Sequence, residues 1–478
     1  MKRDHPLQSA PLVLAALLLA ACAAPVDIQP QATLRDAPSL GLKAEQDPAA
    51  AIDARWWREF GDAQLDRLVD EALRGNPSLG VAQARLLRAR AGADMADAAS
   101  GPQVNLGIDM LRQKFTATGM VPPPLGGAIY DTGTAQFTGS WELDFFGKNR
   151  AALDAALGNA RAAQADADAA RTLLASSVAR SYFQLLRLNE QMAIVRRLLA
   201  QREQVLRLVK ERVEAGLDTR LELRQSEGTL PEARQQIEAL QEQISLTQHA
   251  IGALLGRPEA ALNLVVTAQA ALKDSTPAMT VPADLLGRRA DIAAARWRVE
   301  AATQDVGNAR SQFYPNINLV AFAGVSSIGL DRMLGAGSEQ WGLGPALRLP
   351  IFDGGRLRAN LRARSADLDA AIESYNAAVI DAVRDVLDQL ASAQSIRRQQ
   401  AEQRAAMALA ENAYSIAQQR HQAGLVNLIS VLNAETALLA QRRQNVDLAA
   451  RALDSRVALL RALGGGYHAE LPAATAQK

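Results

Sequence analysis

Two stretches of this chain exclude most folds before any motif is read. From Asn159 to Ala215, and again from Arg356 to Ala423, there is neither glycine nor proline, the residues that most readily interrupt a helix. At 1.5 Å per residue these runs make rods of roughly 85 and 100 Å, longer than any single globular core. Inside them apolar residues return at spacings of three and four, as in Val178, Tyr182, Leu185 and Leu186, or Val379, Val383, Val386 and Leu390. With Arg, Gln and Glu between, that is the stripe of amphipathic, coiled-coil-like helices packed side by side.

The rods belong to two copies of one unit. Arg85, Ala96 and Pro102 recur 213 positions later as Arg298, Ala309 and Pro315. Further on, Arg212, Ala215-Gly216-Leu217, Glu227, Leu255 and Gly256 recur 208 positions later as Arg420, Ala423-Gly424-Leu425, Glu435, Leu463 and Gly464. Each half reads helix, strand, loop, strand, very long helix, tight turn, long helix, which is an internal twofold repeat. The expected division is a first structural repeat at 61–256, a linker at 257–284, a second repeat at 285–464 and a tail at 465–478.

The strands show a period of two. Val104, Leu106, Ile108 and Met110 alternate with Gln103, Asn105, Gly107 and Asp109. Phe137, Trp141, Leu143 and Phe145 alternate with Thr138, Ser140, Glu142 and Asp144. The last segment sets Trp341, Leu343, Leu347, Leu349 and Ile351 against Gly342, Gly344, Ala346 and Arg348, and a third spans Asn316 to Gly324, with Val320 and Phe322 on its expected polar face. Each has about the 9–11 residues that a tilted strand needs to cross a bilayer. Turn-rich connections at 120–127 and 329–337 suit exposed loops. Four strands cannot close a membrane barrel, which takes at least about eight, and lipid tolerates no open sheet edge. The count demands an oligomer without choosing between two chains and three.

The N-terminus supplies a destination. Lys2 and Arg3 precede an apolar run from Pro11 to Leu19, the pattern of a secretory signal peptide, expected here over 1–21. It closes on Leu19-Ala20-Ala21-Cys22, which looks like a bacterial lipobox, and Cys22 is the only cysteine of the 478 residues. Cys22 is therefore the expected lipid-attachment site and the start of a lipidated linker over 22–60; no intrachain disulfide is possible. Several acyl chains, at about 0.8 kcal/mol per buried methylene, anchor stably where one is marginal. Ala23, in place of Asp, resembles lipoproteins sorted to the outer membrane. After the signal no apolar run is long enough for a spanning helix.

Taken together, Cys22, the repeat, Pro102 and Pro315, Leu143-Asp144-Phe145-Phe146-Gly147-Lys148, Pro350-Ile351-Phe352-Asp353-Gly354-Gly355 and Leu463-Gly464-Gly465-Gly466-Tyr467 resemble the TolC/OprM-type outer-membrane factors, in their lipoprotein branch. The resemblance runs from about Trp56 to Tyr467. It implies a mainly α protein with a membrane β-barrel: a homotrimer whose four strands per chain make a twelve-stranded barrel above a long α-helical barrel. It implies a passive exit duct for drugs or other small toxic compounds. Its partners would be a periplasmic adaptor (membrane fusion) protein, an inner-membrane pump of the resistance-nodulation-division class and outer-membrane lipid. In that family a small-Gly-apolar turn at the helical tips meets the adaptor. The matching residues are Gly216 and Leu217 in the first repeat and Gly424 and Leu425 in the second. Acidic residues often line the closed end there, which makes Asp218 the candidate gate residue; Val426-Asn427 leaves the second repeat without an acid. Arg220 and Glu222 are expected to form a surface ion pair.

Other functions fare worse. Lys plus Arg (52) balances Asp plus Glu (51), so no basic surplus points to nucleic acid. His249, His421 and His468 have no metal-ligand spacing, and no phosphate loop or nucleophile elbow occurs, so neither enzyme activity nor a cofactor beyond the lipid on Cys22 is expected. A pore-less periplasmic coiled-coil lipoprotein is the structural alternative. The same duct serving protein secretion or metal-ion efflux is the functional one.

Overall fold

The computed structural model describes residues 28–35, 52–259, 264 and 285–467. Cys22, the signal peptide, most of the 257–284 linker and the tail beyond Tyr467 lie outside them. Helices α1 (Ala63–Gly75) and α2 (Pro77–Ser100) lead into strands β1 (Gln103–Lys114) and β2 (Ile129–Leu143), then α3 (Lys148–Glu214) and α4 (Arg220–Leu254). A single helical turn at Leu285–Arg288 opens the second half, which continues with α5 (Ala290–Ser311), β3 (Asn316–Ile328), β4 (Glu339–Arg348), α6 (Arg356–Gln422) and α7 (Leu428–Ala462). Helices α3 and α6 each have 67 residues, and α4 and α7 each have 35. The duplication thus extends to element length. Each 67-residue helix is a rod of about 100 Å.

Two compact units divide the chain: Met1–Leu34, Arg85–Gln164 and Ala294–Asn376 in one, Arg35–Ala84, Ala165–Ala293 and Ala377–Lys478 in the other. The first holds the sheet, in the order β1-β2-β3-β4 with every neighbour antiparallel. The β2–β3 pairing joins the two repeats, whereas β1 and β4 are the edges of the sheet among the described residues. Helix α3 begins at Lys148 rather than at Asn159, so Gly158 is helical. It serves a helix crossing: a Cβ there would lie 3.0–3.2 Å from Cβ, Cα and N of Ala301 on α5, so only glycine allows that approach without displacement. The N-terminal segment lies along α6 in this unit. The Gln31 and Ala32 N–H groups donate to Asp369 Oδ1 at 2.8 and 2.9 Å, and Asn376 Nδ2 donates to the Thr33 carbonyl at 3.0 Å. Ile28 meets Arg310, near the end of α5 that feeds β3, at 3.4 Å.

The second unit is built around a cluster of large side chains. Trp56, Trp57 and Phe60, on a short 3-10 turn, pack with Tyr182 and Phe183 of α3 and Val457 of α7. Asp62 caps α1 by accepting from the Gln64 and Leu65 N–H groups at 2.8 and 3.2 Å, and its second oxygen accepts from the Tyr182 hydroxyl at 2.7 Å. One buried carboxylate thereby satisfies a helix N-terminus and fixes that helix against the long rod. The glycine run after α7 closes the same unit by backbone contact. Gly464 has φ +107°, and a Cβ there would sit 1.9 Å from the Arg288 carbonyl oxygen; Gly466 meets the backbone of Asp53 and Ala54 in the same way.

Candidate membrane sheet and helix-turn tips

Pairing turns the alternation of single strands into two continuous faces. Leu106 lies opposite Phe137, Phe137 opposite Ala323, and Ala323 opposite Trp341; one step along, Trp141 lies opposite Leu319 and Ala321 opposite Leu343. All of these project from one face. That face is exposed in the single chain: Ile108 is 60%, Phe137 57% and Leu343 68% accessible. In water such an apolar surface would be a liability, but in a bilayer it is the lipid-facing band. The opposite face carries Asn105, Thr138, Gln136, Thr134 and Ser326, with Thr134 and Ser326 hydroxyls 3.0 Å apart and Gln340 donating to Gln136 at 2.9 Å.

Three of the expectations for the strands change: the second strand ends at Leu143, before Phe145. The third strand runs to Ile328, past Gly324, and Val320 and Phe322 do project from the polar face. The reason is across the sheet. Phe322 pairs with Gly342, and a Cβ on Gly342 would come within 2.6 Å of the Phe322 ring. The ring covers the bare glycine, a known remedy for glycine in a strand. The fourth strand ends at Arg348 instead of reaching Ile351, and Ile351 is 81% exposed.

Both helix-turn tips use the same backbone lock. Gly216 has φ +70°, the Leu217 N–H donates to the Arg212 carbonyl at 2.8 Å, and the Gly216 N–H to that of Val213 at 3.1 Å. Gly424 has φ +72°, with Leu425 to Arg420 at 2.8 Å and Gly424 to His421 at 2.9 Å. This 6→1 and 5→2 pattern ends a helix on a left-handed residue and needs glycine there. It leaves Leu217 66% and Leu425 68% exposed. Leu221 beside the first tip is exposed as well.

The side chains at the tips differ. Asp218 forms a two-pronged ion pair with Arg212, at 2.8 and 2.9 Å, and the guanidinium holds its carboxyl below the usual aspartate range. The candidate gate acid is therefore clamped to its own turn. Glu222 closes a capping box with Thr219, whose N–H donates to it at 2.9 Å, and the hydroxyl bond to Thr219 lowers its pKa. That replaces the expected Arg220–Glu222 pair, because the reach back to the N-cap satisfies backbone donors that an exposed ion pair would not. In the second tip Val426 stands where Asp218 does, and His421 Nδ1 lies 3.0 Å from the Val426 carbonyl oxygen instead. Asn427 caps α7 by accepting from Ser430 N–H at 3.1 Å.

One charged cluster was not foreseen. Arg289 pairs with Asp291 at 2.7 Å and donates to the Ala462 carbonyl at 3.0 Å, while Asp385 lies 3.7 Å from Arg289 and 3.3 Å from Arg461. Burial pushes the Asp291 carboxyl up, but Arg289 outweighs it and the net shift is downward. It ties α5, α6 and α7 together around the C-terminal glycines. Only its first two residues are neighbours in sequence, so no spacing rule could have found it. Among the described residues no group of His, Cys, Asp and Glu could hold a metal, and no helix is long and apolar enough to cross a membrane.

Known proteins share this arrangement. Residues 68–257 and 281–465 match the family described as outer membrane efflux protein. The multidrug resistance outer membrane protein MdtQ of Escherichia coli is 32% identical over 94% of this chain and 96% of its own length. The pyoverdine export outer membrane protein OpmQ of Pseudomonas aeruginosa is 33% identical over 96% and 97%. Among solved structures, the outer membrane protein VceC of Vibrio cholerae superposes with a TM-score of 0.79 at 35% identity, covering 86% of this chain and 98% of that one. The OprN outer-membrane channel gives 0.80 at 26% identity over 93% and 99%. With two repeats, four strands and both long helical hairpins in place, this chain belongs to the outer membrane efflux protein family.

Proposed function

We propose that three copies of this chain form the passive outer-membrane exit duct of a tripartite pump that expels small toxic compounds. The observation that carries this reading is the sheet: among the described residues, four strands, two unpaired edges and one apolar, exposed face. Three chains supply twelve strands and leave no edge in lipid. A pore-less spacer gives no reason for that face. The exposed Leu217 and Leu425 on rigid glycine turns suit docking of a periplasmic adaptor, which would link the duct to an inner-membrane pump of the resistance-nodulation-division class. Relatives named for multidrug resistance and for pyoverdine export stand at nearly the same identity, which favours small molecules over proteins as cargo.

Cys22 is the proposed lipid anchor. It precedes Ile28 by six residues, a reach of at most about 20 Å, and Ile28 is held by Arg310 near the start of β3. An acyl chain on Cys22 can therefore reach the bilayer that the sheet enters. Asp218 is the proposed gate residue, acting through its clamp on Arg212. The test is to purify the mature protein from outer membranes, determine its oligomeric mass, and record single-channel conductance beside a Cys22→Ala variant. A trimer that conducts, with its conductance raised by Asp218→Asn, is expected, and Cys22→Ala should lose the lipid mass while still conducting. A monomeric or non-conducting rod in the periplasmic fraction refutes the duct.

A further inference from the structure

The repeat leaves one strand pairing unmade, and its register can be read from the pairing that is made. Gln103 opposes Ser140 in the first hairpin, and their repeat equivalents Asn316 and Arg348 oppose each other in the second. The two hairpins thus share one register, with β1 equivalent to β3 and β2 to β4. The β2–β3 pairing between repeats must then have a counterpart between β4 of one protomer and β1 of the next. We infer that this interface repeats the β2–β3 register, setting Ala346 opposite Asp109, Leu347 opposite Ile108, Leu349 opposite Leu106 and Ile351 opposite Val104 of the neighbouring protomer.

Each pair follows from one inside the chain. Thr138 opposite Phe322 becomes Ala346 opposite Asp109, Gly139 opposite Ala321 becomes Leu347 opposite Ile108, Trp141 opposite Leu319 becomes Leu349 opposite Leu106, and Leu143 opposite Ile317 becomes Ile351 opposite Val104. Hydrogen-bond direction agrees. The Ser326 N–H donates to the Ser338 carbonyl at 2.8 Å and the Phe115 N–H to the Ala128 carbonyl at 3.0 Å. In an antiparallel ladder alternate residues bond to alternate sides. On β4 the residues out of step with Ser338, Leu347 among them, therefore turn their polar backbone groups outward; on β1 those out of step with Phe115, Ile108 among them, do the same. The proposed partners are the outward-facing sets of both edges, and the lipid-facing side of one strand meets that of the other.

Nearby registers that keep the faces matched fit less well. A shift of two residues one way sets Asp353 beside Val104 on the lipid side. A shift the other way leaves Ile351, 81% exposed in the single chain, against Pro102. In the inferred register β4 lengthens to Ile351 on assembly, which accounts for an alternation in the sequence that outruns the strand of the isolated chain. Following one row of partners, Asn105, Thr138, Phe322 and Gly342 lead to Gln113 of the next protomer, a stagger of about eight residues per chain of the kind that closing a barrel requires.

The inference rests on the proposed trimer, and the experiment separates the two. Ala346→Cys and Asp109→Cys are combined in one chain and oxidised with copper phenanthroline in outer-membrane vesicles, and products are resolved without reductant. Covalent dimers and trimers are expected. A Thr134→Cys, Ser326→Cys chain is the control for oxidation, because those side chains touch within one chain and should link without a change in chain number. The parent chain, with Cys22 alone, accounts for any background. Ala346→Cys with Gly107→Cys, and with Leu111→Cys, report the two displaced registers. More efficient linking in either displaced pair overturns the register, as does failure of all three where the control pair links. Oligomeric mass is measured on the same preparations: a trimer linked in a displaced pair removes only the register, whereas no trimer removes both claims.

Discussion

The assignment of the two sheet faces can be tested by placing the same charge on each. Ile108 lies near the middle of β1, is 60% exposed in the single chain, and projects from the face shared by Phe137 and Leu343. An arginine on the lipid side of a barrel costs about 2–4 kcal/mol at the midplane and close to nothing at the interfaces. Ile108→Arg in three copies therefore costs about 6–12 kcal/mol per trimer, comparable with the whole stability of an ordinary folded protein at 5–15 kcal/mol. Asn105→Arg, three residues away on the other face, meets water and costs about 0–1 kcal/mol by the same reasoning. The assay is the fraction of SDS-resistant trimer recovered from outer membranes, followed by conductance of what assembles. Loss of trimer is expected for Ile108→Arg. Normal trimer with altered ion selectivity is expected for Asn105→Arg. The reverse outcome, or equal tolerance of both, would show that the face read as lipid-facing is not.

Two positions outside the sheet give sharper stability tests. Tyr182→Phe removes the hydroxyl that donates to Asp62 at 2.7 Å, and a buried hydrogen bond to a charged group is worth about 1.5–3 kcal/mol; the temperature at which half the trimer dissociates in detergent should fall, with single-channel conductance unchanged. Gly464→Ala meets both a left-handed backbone, costing about 1–2 kcal/mol, and the Arg288 carbonyl 1.9 Å from the new Cβ. It should lower that temperature further than Gly216→Ala, whose position has the same backbone requirement and open space around it.

How far the sequence reaches depends on how local each cause is. The rods follow from the absence of two residue types over long runs, and the four strands from alternation, both properties of neighbours in the chain. The glycine turns are legible for the same reason, since Gly216 and Gly424 follow long helices directly. Where the cause lies on another element, reading along the chain stops short. Gly158 reads as a helix breaker until Ala301 is set against it. Phe322 reads as an error of facing until it is seen to cover Gly342, a residue twenty positions away that lies on the adjoining strand. The Arg289, Asp385 and Arg461 cluster is invisible in any window of sequence. The Asp218 clamp lies between these cases: Arg212 is six residues back, but the turn that brings them together must be folded before the pair can be recognised.

The two tips show how a duplicated unit keeps its backbone while changing its locks. Both reverse the chain on a left-handed glycine, yet the first adds a carboxylate–guanidinium clamp and the second a histidine nitrogen on a carbonyl oxygen. The first of these ties is sensitive to acid. Asp218 has its pKa depressed by Arg212, so its contribution is fully present above the ordinary aspartate range and is lost only as pH falls through its lowered folded value. Acid should therefore loosen the first tip, and only below the range in which a free aspartate titrates. In bilayer recordings the parent channel should hold one conductance from neutral pH down to the usual aspartate range and rise below it. Arg212→Ala, which frees the carboxylate, should show the high conductance at every pH, and Asp218→Asn should abolish the acid response. An acid-induced rise that persists in Asp218→Asn would place the pH-sensitive lock elsewhere.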